Sequence, residues 1–229
     1  MLLAVIPARG GSKGILRKNL ALLNGKPLIQ YTIEAALQSR FVDQILLSTD
    51  DDEIANVGQR LGLDVSYRRP AELAGDGTSM IDSIEHGLHW IEKKSGAMPN
   101  DLLLLQPTSP LRTVQDIDGA VTLFRKSDSR SVVSVHPMGE HPCECIVGSG
   151  TNWHYLVPPP EGAVRRQDYE NNFFFINGAI YLINTQTLLS RRRFFYPGES
   201  AMYVMQRDRG LDIDTALDLS IAEAVIGNS

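Results

Sequence analysis

The stretch Pro7-Ala-Arg-Gly-Gly-Ser-Lys-Gly-Ile-Leu-Arg-Lys-Asn19 decides how the rest of the chain is interpreted. It follows the apolar run Leu2 to Ile6, and such a run ending in proline and glycine predicts a buried strand that leads into a loop. Glycines in this loop, Gly11 among them, let the backbone approach a ligand closely. The loop also carries cations and polar donors: Arg9, Lys13, Arg17, Lys18, Ser12 and Asn19. Backbone N–H groups and fixed cations after a strand attract anions, so the stretch predicts a polyphosphate site.

This loop has neither the spacing of a Walker loop nor a G-x-G-x-x-G dinucleotide fingerprint. The alternative interpretation is an exposed basic loop without a ligand. The basic residues of the chain are concentrated locally, at 9–18, 165–166 and 191–193, which favours a small anionic ligand.

The composition limits the class of protein. A chain of 229 residues with 43% hydrophobic content can bury a substantial core as one domain. The net charge of -5 argues against nucleic-acid or anionic-membrane binding. The two cysteines, Cys143 and Cys145, lie too close together to staple a fold, which fits a reducing cytosol. No apolar run could span a bilayer and no cleavable leader is evident, so we expect a soluble, cytoplasmic protein.

Helical and strand periodicities alternate along the first part of the chain. The predicted elements are a helix over 27–38, a strand over 45–48, a helix through 60, a short strand over 65–67, a helix from 76–79 to about 93, a strand over 102–105, a helix to about 126 and a strand over 132–135. This alternation predicts an α/β fold with a doubly wound, mostly parallel sheet.

The pattern breaks in the region 137–172, where prolines, glycines and short mixed runs replace helical periodicity. We expect a small β-rich lobe there, projecting from a single domain that spans 1–229 and forming a subunit contact. The segments 173–175 and 179–183, on either side of Asn177-Gly178, predict a return into the main sheet.

Two helix starts carry polar residues that allow two interpretations. Asp50 and Glu53 form a capping-box-like pair, which either caps the following helix or contacts a ligand or metal. Thr78 and Ser79 open the next helix, where hydroxyls and N–H groups either cap it or hold a ribose or base edge.

Polar residues also follow the strand over 102–105, beginning at Gln106 in the turn Q-P-T-S-P-L-R. Open α/β sheets bind their ligands at the carboxyl ends of strands.

Near the end of the chain, Asp212 and Asp214 are two residues apart in an extended segment, so their side chains point the same way. Thr215 and Asp218 already offer a capping box, so the two aspartates favour Mg²⁺ held together with phosphate oxygens over a helix cap.

His136, His141, Cys143 and Cys145 suggest zinc, but zinc ligands usually occur as C-x2–4-C and the C-x-C here is tighter. A metal site in this region is therefore not expected. Phe194 and Phe195 are either core residues or an exposed pair for a ligand or a partner.

Four motifs, in order, resemble those of the N-acylneuraminate (CMP-sialic acid) cytidylyltransferases. They are R-G-G-S-K-G-I-x-x-K-N at 9–19, Q-P-T-S-P-L-R at 106–112, N-G-A-I-Y at 177–181 and D-I-D-T at 212–215. The resemblance implies a Rossmann-like nucleotidyltransferase fold, CTP and a nonulosonic acid as substrates, a CMP-sugar and pyrophosphate as products, and a homodimer.

The resemblance also implies roles for individual residues. Arg9, Gly11, Ser12, Lys13 and Asn19 would hold the triphosphate, with Thr78 and Ser79 by the cytidine. Gln106, Arg166, Tyr181, Phe194 and Phe195 would contact the sugar, with Arg166 on its carboxylate. Asp212 and Asp214 would hold Mg²⁺, with Mn²⁺ as the alternative. Arg9, Lys13 and Asp214 would take part in catalysis, Asp214 by helping to deprotonate the sugar hydroxyl.

Several alternatives remain open. N-acetylneuraminic acid is the expected acid, followed by legionaminic and pseudaminic acids. A Kdo cytidylyltransferase is disfavoured because those enzymes carry a first loop resembling R-x-x-S-x-R-L-P-G-K. A hexose-1-phosphate nucleotidyltransferase would also have a basic glycine loop, but would not need Arg166. A catalytically silent nucleotide-binding dimer would have no need for the metal pair.

Overall fold

A computed structural model describes residues 1–11, 14–162, 165 and 173–227. The strands in these residues are β1 (Leu2–Pro7), β2 (Leu22–Leu23), β3 (Lys26–Pro27), β4 (Gln44–Ser48), β5 (Asp101–Leu104), β6 (Ser131–Pro137), β7 (Ile146–Ser149), β8 (Asn152–Tyr155), β9 (Phe174–Asn184) and β10 (Ser200–Val204). The α-helices are α1 (Leu28–Gln38), α2 (Asp52–Arg60), α3 (Met80–Ser95), α4 (Val114–Lys126), α5 (Thr185–Arg191) and α6 (Ala216–Gly227).

The central sheet has six strands in the order β10-β6-β9-β5-β1-β4. β1 pairs in parallel with β4 and β5, and β6 pairs in parallel with β10. β9 runs antiparallel to both of its neighbours, β5 and β6. The predicted α/β fold with a mostly parallel sheet is therefore confirmed, with β9 as the antiparallel strand between two parallel groups.

Strand β1 lies at the centre of the core because both of its faces are covered. Leu2, Ala4 and Ile6 pack into one apolar cluster with residues of α1, α2 and α4. Leu3 and Val5 point to the opposite face and pack with residues of α3. A strand buried on both faces needs an unbroken apolar sequence, which is why this run of leucine, alanine, valine and isoleucine forms it.

The carboxyl ends of β1, β4 and β5 meet at one edge of the sheet, because the three strands are parallel. The loops that follow them begin at Ala8, Thr49 and Leu105 and so emerge side by side. This edge is where an open α/β sheet binds its ligands.

Some predicted boundaries were wrong. Residues 65–67 do not form a strand, although the segment is extended and its side chains alternate between buried and exposed. The predicted return of 173–175 and 179–183 into the main sheet is confirmed, but both segments belong to one strand, β9, which begins at Phe174 and whose pairing with β6 shifts register between Val133 and Val135. Gly178 lies within β9 at a φ of 74°, a conformation that side chains other than glycine rarely adopt.

The cap of α2 was also misplaced by one residue. Asp51, not Asp50, is the N-cap and accepts a hydrogen bond from the Ile54 N–H at 3.0 Å. Asp50 instead accepts from the Gly10 N–H at 2.9 Å. Asp51 therefore caps α2, while Asp50 holds the loop that follows β1 in place.

Within region 137–172, the described residues form a β-hairpin of β7 and β8. Both strands are exposed along their whole length, and several exposed side chains are apolar: Ile146, Val147, Trp153, Tyr155 and Leu156. No helix among the described residues is long and apolar enough to cross a membrane.

Candidate active site

A cavity of about 300 Å³ opens at the edge of the sheet where β1, β4 and β5 end. Its volume is at the lower end of the range for small-molecule sites. It is lined by Pro7, Arg9, Gly11, Gly14, Lys18, Asn19, Arg69, Met80, Gln106, Pro107, Thr108 and Asp214. Residues from four distant parts of the sequence therefore surround one space.

The loop after β1 packs tightly against its neighbours. A Cβ atom on Gly14 would lie 2.2 Å from the backbone oxygen of Asp214, and one on Gly10 would lie 2.8 Å from a carboxylate oxygen of Asp51. Asn19 donates from Nδ2 to the Arg9 backbone oxygen at 3.0 Å and so closes the loop on itself. Asn19 therefore positions the loop as well as lining the cavity.

The cations of this loop have different surroundings. Arg9 forms an ion pair with Asp76 at 2.6 Å, and Lys18 forms one with Asp214 at 2.8 Å. Both cations line the cavity. Arg17 instead binds Asp51 and Glu53 of the α2 start, and its hydrogen bond to Glu53 raises its pKa above the ordinary value.

Arg69 is a cavity residue that the sequence analysis did not identify. Its side chain is buried, and it donates from Nε to the Ser48 Oγ at 3.0 Å and from Nη2 to the Ser48 backbone oxygen at 2.9 Å. Burial and, to a smaller extent, the nearby positive charge of Arg9 lower its pKa. Two guanidinium groups held near each other at a cavity wall are well suited to an anion with several charges.

The alternation of residues around Arg69 in the sequence could have indicated that its side chain points inward. The extended segment 63–69 has alternating burial, with Leu63, Tyr67 and Arg69 inward and Ser66 and Arg68 outward. An arginine at an inward position of an apolar alternation needs an internal partner or a ligand. Arg68, at the outward position, pairs at the surface with Asp52 at 3.0 Å.

The start of α3 borders the cavity through Met80. Ser79 is the N-cap of α3, and its side chain accepts from the Ile81 N–H at 3.2 Å. Thr78 donates to the Glu72 backbone oxygen at 3.1 Å. Ser79 therefore caps α3, as one of the two interpretations expects, whereas the Thr78 hydroxyl has a structural partner outside the helix.

Asp212 and Asp214 are exposed on either side of Ile213, the alternation of burial that an extended segment produces. Ile213 between them is fully buried, and its N–H donates to the Thr108 backbone oxygen at 2.8 Å. Thr215 and Asp218 form the predicted reciprocal cap, with the Thr215 N–H donating to Asp218 at 2.7 Å and the Asp218 N–H donating to the Thr215 hydroxyl at 3.4 Å. Capping of α6 therefore does not require the side chain of either aspartate.

The pKa of Asp212 is raised above its ordinary value, mainly because the carboxylate is desolvated and also because Asp214 and Asp218 add negative charge nearby. A hydrogen bond from Thr108 acts in the opposite direction. Among the described residues, no group of three or more histidine, cysteine or acidic side chains is placed to hold a metal. The two aspartates would thus need oxygens from a ligand to complete a coordination shell.

The turn after β5 is held by a buried arginine. Arg112 donates from Nη1 to the backbone oxygens of Gln106 and Ala179, at 3.2 and 2.7 Å, and from Nη2 to the Thr32 hydroxyl at 2.7 Å. Burial lowers its pKa to about 9. Arg112 thus fixes the turn relative to β9 and α1, while Gln106 lines the cavity.

The predicted aromatic residues come together beside the aspartates. The ring of Tyr181 lies 5.3 Å from that of Phe194 and 6.3 Å from that of Phe195, measured between centroids. Burial raises the pKa of Tyr181, and the charge of Asp212 adds to this shift, which places the phenol near that carboxylate. An added Cβ on Gly178 would be 3.7 Å from the Gln106 Nε2 and 3.8 Å from the Tyr181 hydroxyl, so the turn after β5 and the bulge of β9 adjoin each other.

The histidines and cysteines of 136–145 have other contacts. His141 accepts from the Cys143 N–H at 3.2 Å, and the Cys145 thiol lies 3.6 Å from the His141 backbone oxygen. His136 has a buried Nδ1 with no hydrogen-bond partner in the described part of the chain, and its ring packs at a tilt against that of Phe175. Among the described residues they do not form a metal cluster.

The structure therefore brings Arg9, Gly11, Asn19, Gln106 and Asp214 to one cavity, with Asp212, Tyr181, Phe194 and Phe195 beside it. Thr78 and Ser79 lie just before Met80 in the chain. Ser12, Lys13 and Arg166 lie outside the described residues. Arg69 and Thr108 join the site as residues that the sequence analysis did not single out.

The fold and the site define an α/β protein in which cations and carboxylates line one cavity, at the edge where such sheets bind ligands. The family model described as "Cytidylyltransferase" matches residues 3–142. The chain belongs to this cytidylyltransferase family. The match covers β1 to β6 and therefore includes the loop after β1, Arg69 and the turn after β5.

The chain is also similar to curated proteins with more specific names. It is 35% identical to the CMP-N,N'-diacetyllegionaminic acid synthase of Legionella pneumophila, over 98% of this chain and 96% of that protein. It is 32% identical to the N-acylneuraminate cytidylyltransferase of Escherichia coli O18:K1:H7, over 96% of this chain and 51% of that protein. It is 31% identical to the pseudaminic acid cytidylyltransferase of Campylobacter jejuni, over 96% of this chain and 94% of that protein. The chain thus spans about half the length of the N-acylneuraminate enzyme.

Solved structures support the fold. A CMP:2-keto-3-deoxy-manno-octonic acid synthetase complexed with CTP aligns with a TM-score of 0.71 at 20% identity, covering 99% of this chain and 98% of the other. A 4-diphosphocytidyl-2C-methyl-D-erythritol synthase aligns with a TM-score of 0.68 at 11% identity, covering 98% and 97%. At these identities the likeness shows the fold alone.

Proposed function

We propose that this protein transfers CMP from CTP to the anomeric hydroxyl of a nonulosonic acid, N-acetylneuraminic acid first, and releases pyrophosphate. The observation that carries this proposal is the cavity that Arg9, Lys18, Arg69 and Asp214 line together, with Tyr181 and its neighbouring aromatic rings near Asp212. Cations suit the triphosphate of CTP, and the aromatic side suits a sugar ring.

The reaction balances as a substitution at the α-phosphorus. The anomeric oxygen forms a bond to the α-phosphorus, the bond from that phosphorus to the oxygen bridging to the β-phosphorus breaks, and pyrophosphate leaves with that oxygen. Arg9, Lys18 and Arg69 would hold the phosphate oxygens in line for this attack and offset their charge. Lys13, outside the described residues, would join them.

The residues present fit a divalent cation. Asp212 and Asp214 supply hard carboxylate oxygens on one side of an extended segment, and α6 does not need either of them as a cap. They would hold Mg²⁺, or Mn²⁺ in its place, with phosphate oxygens completing the shell. When bound, the cation would neutralise charge that develops on the phosphates. Lys18, which now pairs with Asp214, would turn to the triphosphate.

The acid substrate would lie beside Gln106, Tyr181, Phe194 and Phe195, with Arg166 on its carboxylate. The proton of the anomeric hydroxyl would pass to the Asp212–Asp214 pair. The sequence analysis favours Asp214 for this role.

N,N'-diacetyllegionaminic acid is the second candidate acid, ahead of pseudaminic acid. It is favoured by the 35% identity to the Legionella synthase, which extends over nearly the full length of both chains. Within these nine-carbon acids the reaction and the roles of the residues would be the same, and only the contacts with the acyl-bearing groups would differ.

We further propose that the protein acts in the cytoplasm as a homodimer, in which the lobe 137–172 of one subunit contacts the other. The support is the exposed apolar side chains of the β7–β8 hairpin, with Trp153 48% and Tyr155 43% exposed. Exposed apolar patches of this kind mark protein contacts. Light scattering should give the mass of a dimer, and a monomeric mass at working concentrations would contradict this assignment.

The function is tested by pyrophosphate release with Mg²⁺, offering each of the four ribonucleoside triphosphates with N-acetylneuraminic, diacetyllegionaminic, pseudaminic and Kdo acids in turn. We expect release only with CTP and a nine-carbon acid, and the preferred acid identifies the substrate. Release with a hexose 1-phosphate, retained in Arg166→Ala, would instead indicate a hexose-1-phosphate nucleotidyltransferase. Binding of CTP without release from any pair would indicate a silent nucleotide-binding protein.

A further inference from the structure

A polar pair is buried beneath the turn that follows β5. Thr32 lies on the buried face of α1 and is 1% exposed, and Arg112 is 3% exposed. The Nη2 of Arg112 donates to the Thr32 hydroxyl at 2.7 Å. A hydroxyl and a guanidinium in the core cost free energy unless they are hydrogen-bonded, and apolar side chains could fill the same space without that cost. The groups that this pair holds in place therefore explain its presence.

The pair converges on one acceptor, the backbone oxygen of Gln106. This oxygen accepts from the Arg112 Nη1 at 3.2 Å, from the Thr32 hydroxyl at 3.5 Å and from the Ser109 N–H at 3.3 Å. Thr32 accepts from Arg112 and donates to Gln106 at the same time, because a hydroxyl has one proton and two lone pairs. Gln106 is thus held both by α1 and by the far end of its own turn.

The same guanidinium also holds β9. The Arg112 Nη1 donates to the Ala179 backbone oxygen at 2.7 Å, and Ala179 follows Gly178, the residue of β9 with a positive φ. On the cavity side, a Cβ added to Gly178 would lie 3.7 Å from the Gln106 Nε2 and 3.8 Å from the Tyr181 hydroxyl. Arg112 therefore joins the two segments whose side chains, Gln106 and Tyr181, adjoin each other.

We propose that Thr32 and Arg112 are positioning residues that fix the side chain of Gln106 beside the acid. The inference rests on the proposed function, in which Gln106 and Tyr181 contact the acid. Neither Thr32 nor Arg112 lines the cavity, so both act through the turn that they hold. A polar group that is fixed before binding loses less freedom when its ligand arrives, so it binds that ligand more tightly than the same group without supports.

The first test follows the side-chain amide of Gln106 by nuclear magnetic resonance in the protein without ligands. The amide proton signals, assigned by their loss in Gln106→Ala, should move in Thr32→Val, which removes the hydroxyl and keeps a side chain of similar shape. Thr185→Val is the matched control. It too removes the hydroxyl of a fully buried threonine, but this hydroxyl has no hydrogen-bond partner among the described residues. The control should leave the Gln106 signals unchanged.

The second test is steady-state kinetics. Thr32→Val should raise the KM for the acid by roughly fivefold, as for the loss of one supporting hydrogen bond, while the KM for CTP stays constant. Arg112→Lys keeps the charge but loses the fork that reaches several oxygens, so it should act in the same direction and more strongly. A loss of folded protein alone would lower the apparent kcat and leave both KM values unchanged.

A double variant shows whether Thr32 acts through Gln106. Because both substitutions would affect the same contact with the acid, Thr32→Val should change the KM for the acid much less in a Gln106→Ala background than in the unmodified protein. Unchanged Gln106 signals in Thr32→Val, or its full effect on KM retained in the Gln106→Ala background, would overturn the proposal. If the unmodified protein converts none of the acids, the proposed function fails, while the role of Thr32 is still decided by the Gln106 signals.

Discussion

The two sides of the cavity are built by different means. On the side proposed to bind the nucleotide (the nucleotide side), charged groups are held by directional bonds: Arg69 by Ser48, Arg9 by Asp76 and Lys18 by Asp214. On the side proposed to bind the acceptor (the acceptor side), the rings of Tyr181, Phe194 and Phe195 pack against one another, and Phe195 is 37% exposed.

The residues that the family model matches include one of these two sides and not the aromatic residues of the other. The match covers residues 3–142, which include the nucleotide side, and it ends before the aromatic residues of the acceptor side. The triphosphate of CTP is the same whichever acid is the acceptor. The cations that bind it therefore need fixed positions. Ring packing is less directional and can accommodate different acceptors. We infer that the nucleotide side determines the reaction and the acceptor side determines the substrate.

The largest expected effect comes from the aspartates between the two sides. Asp212→Ala and Asp214→Ala should each lower kcat by about a hundredfold or more, because they remove groups that act on charge developing in the transition state. CTP affinity should change far less. Asp208→Ala is the control, since that exposed carboxylate bonds locally, to the Arg209 N–H at 2.9 Å. Steady-state kinetics with an unchanged kcat for both variants would rule out the assigned metal pair.

Two neighbouring arginines sharpen the contrast between buried and surface charge. Arg69→Ala should weaken CTP binding by roughly tenfold to a hundredfold, as for loss of a charge-assisted contact. Arg68→Ala should leave CTP affinity nearly unchanged, because Arg68 pairs with Asp52 at the surface. Equal affinities for the two variants in a calorimetric titration would mean that Arg69 does not contact the nucleotide.

The acceptor side should respond differently. Phe195→Ala should raise the KM for the acid by about threefold to tenfold, because it removes a ring that stacks near Tyr181. The KM for CTP in the same assays is the internal control and should stay constant. A rise confined to CTP would reverse the assignment of the two sides.

The smallest effect concerns stability and its dependence on pH. The raised pKa of Asp212 means that its charged form costs the folded protein free energy once the pH exceeds its ordinary pKa. Asp212→Asn should therefore raise the thermal stability of the metal-free protein slightly at neutral pH. The gain should disappear as the pH falls below the ordinary aspartate pKa, where both folded and unfolded states are protonated. A constant gain across this range in thermal melts would show that the charge of Asp212 is not its source.

Local patterns in the sequence predicted much of the fold and site. The apolar run of β1, the alternating burial of Asp212, Ile213 and Asp214, and the Thr215–Asp218 cap all depend on residues within a few positions of each other. Such features follow from backbone periodicity alone.

The features that the sequence did not predict depend on distant partners. Arg69 reaches the cavity only because the segment 63–69 lies beside the end of β4, and Arg9 meets Asp76 across 67 positions in the chain. The shift of the α2 cap from Asp50 to Asp51 has the same origin, because Asp50 is engaged by the Gly10 N–H. Hydrogen bonds between loops decided these cases, and periodicity within one segment carries no information about them.

The central claim is that the anomeric oxygen of the acid attacks the α-phosphorus of CTP. Following an oxygen isotope from the acid into the products tests it most directly. A nonulosonic acid labelled with ¹⁸O at its anomeric hydroxyl would be converted with CTP, and the products followed by ³¹P nuclear magnetic resonance. Attack on the α-phosphorus predicts a CMP-sugar whose phosphorus signal is shifted by a bridging ¹⁸O, together with unlabelled pyrophosphate. An unlabelled bridge would show that a phosphate oxygen attacked the anomeric carbon instead, and it would contradict the mechanism proposed for this cavity.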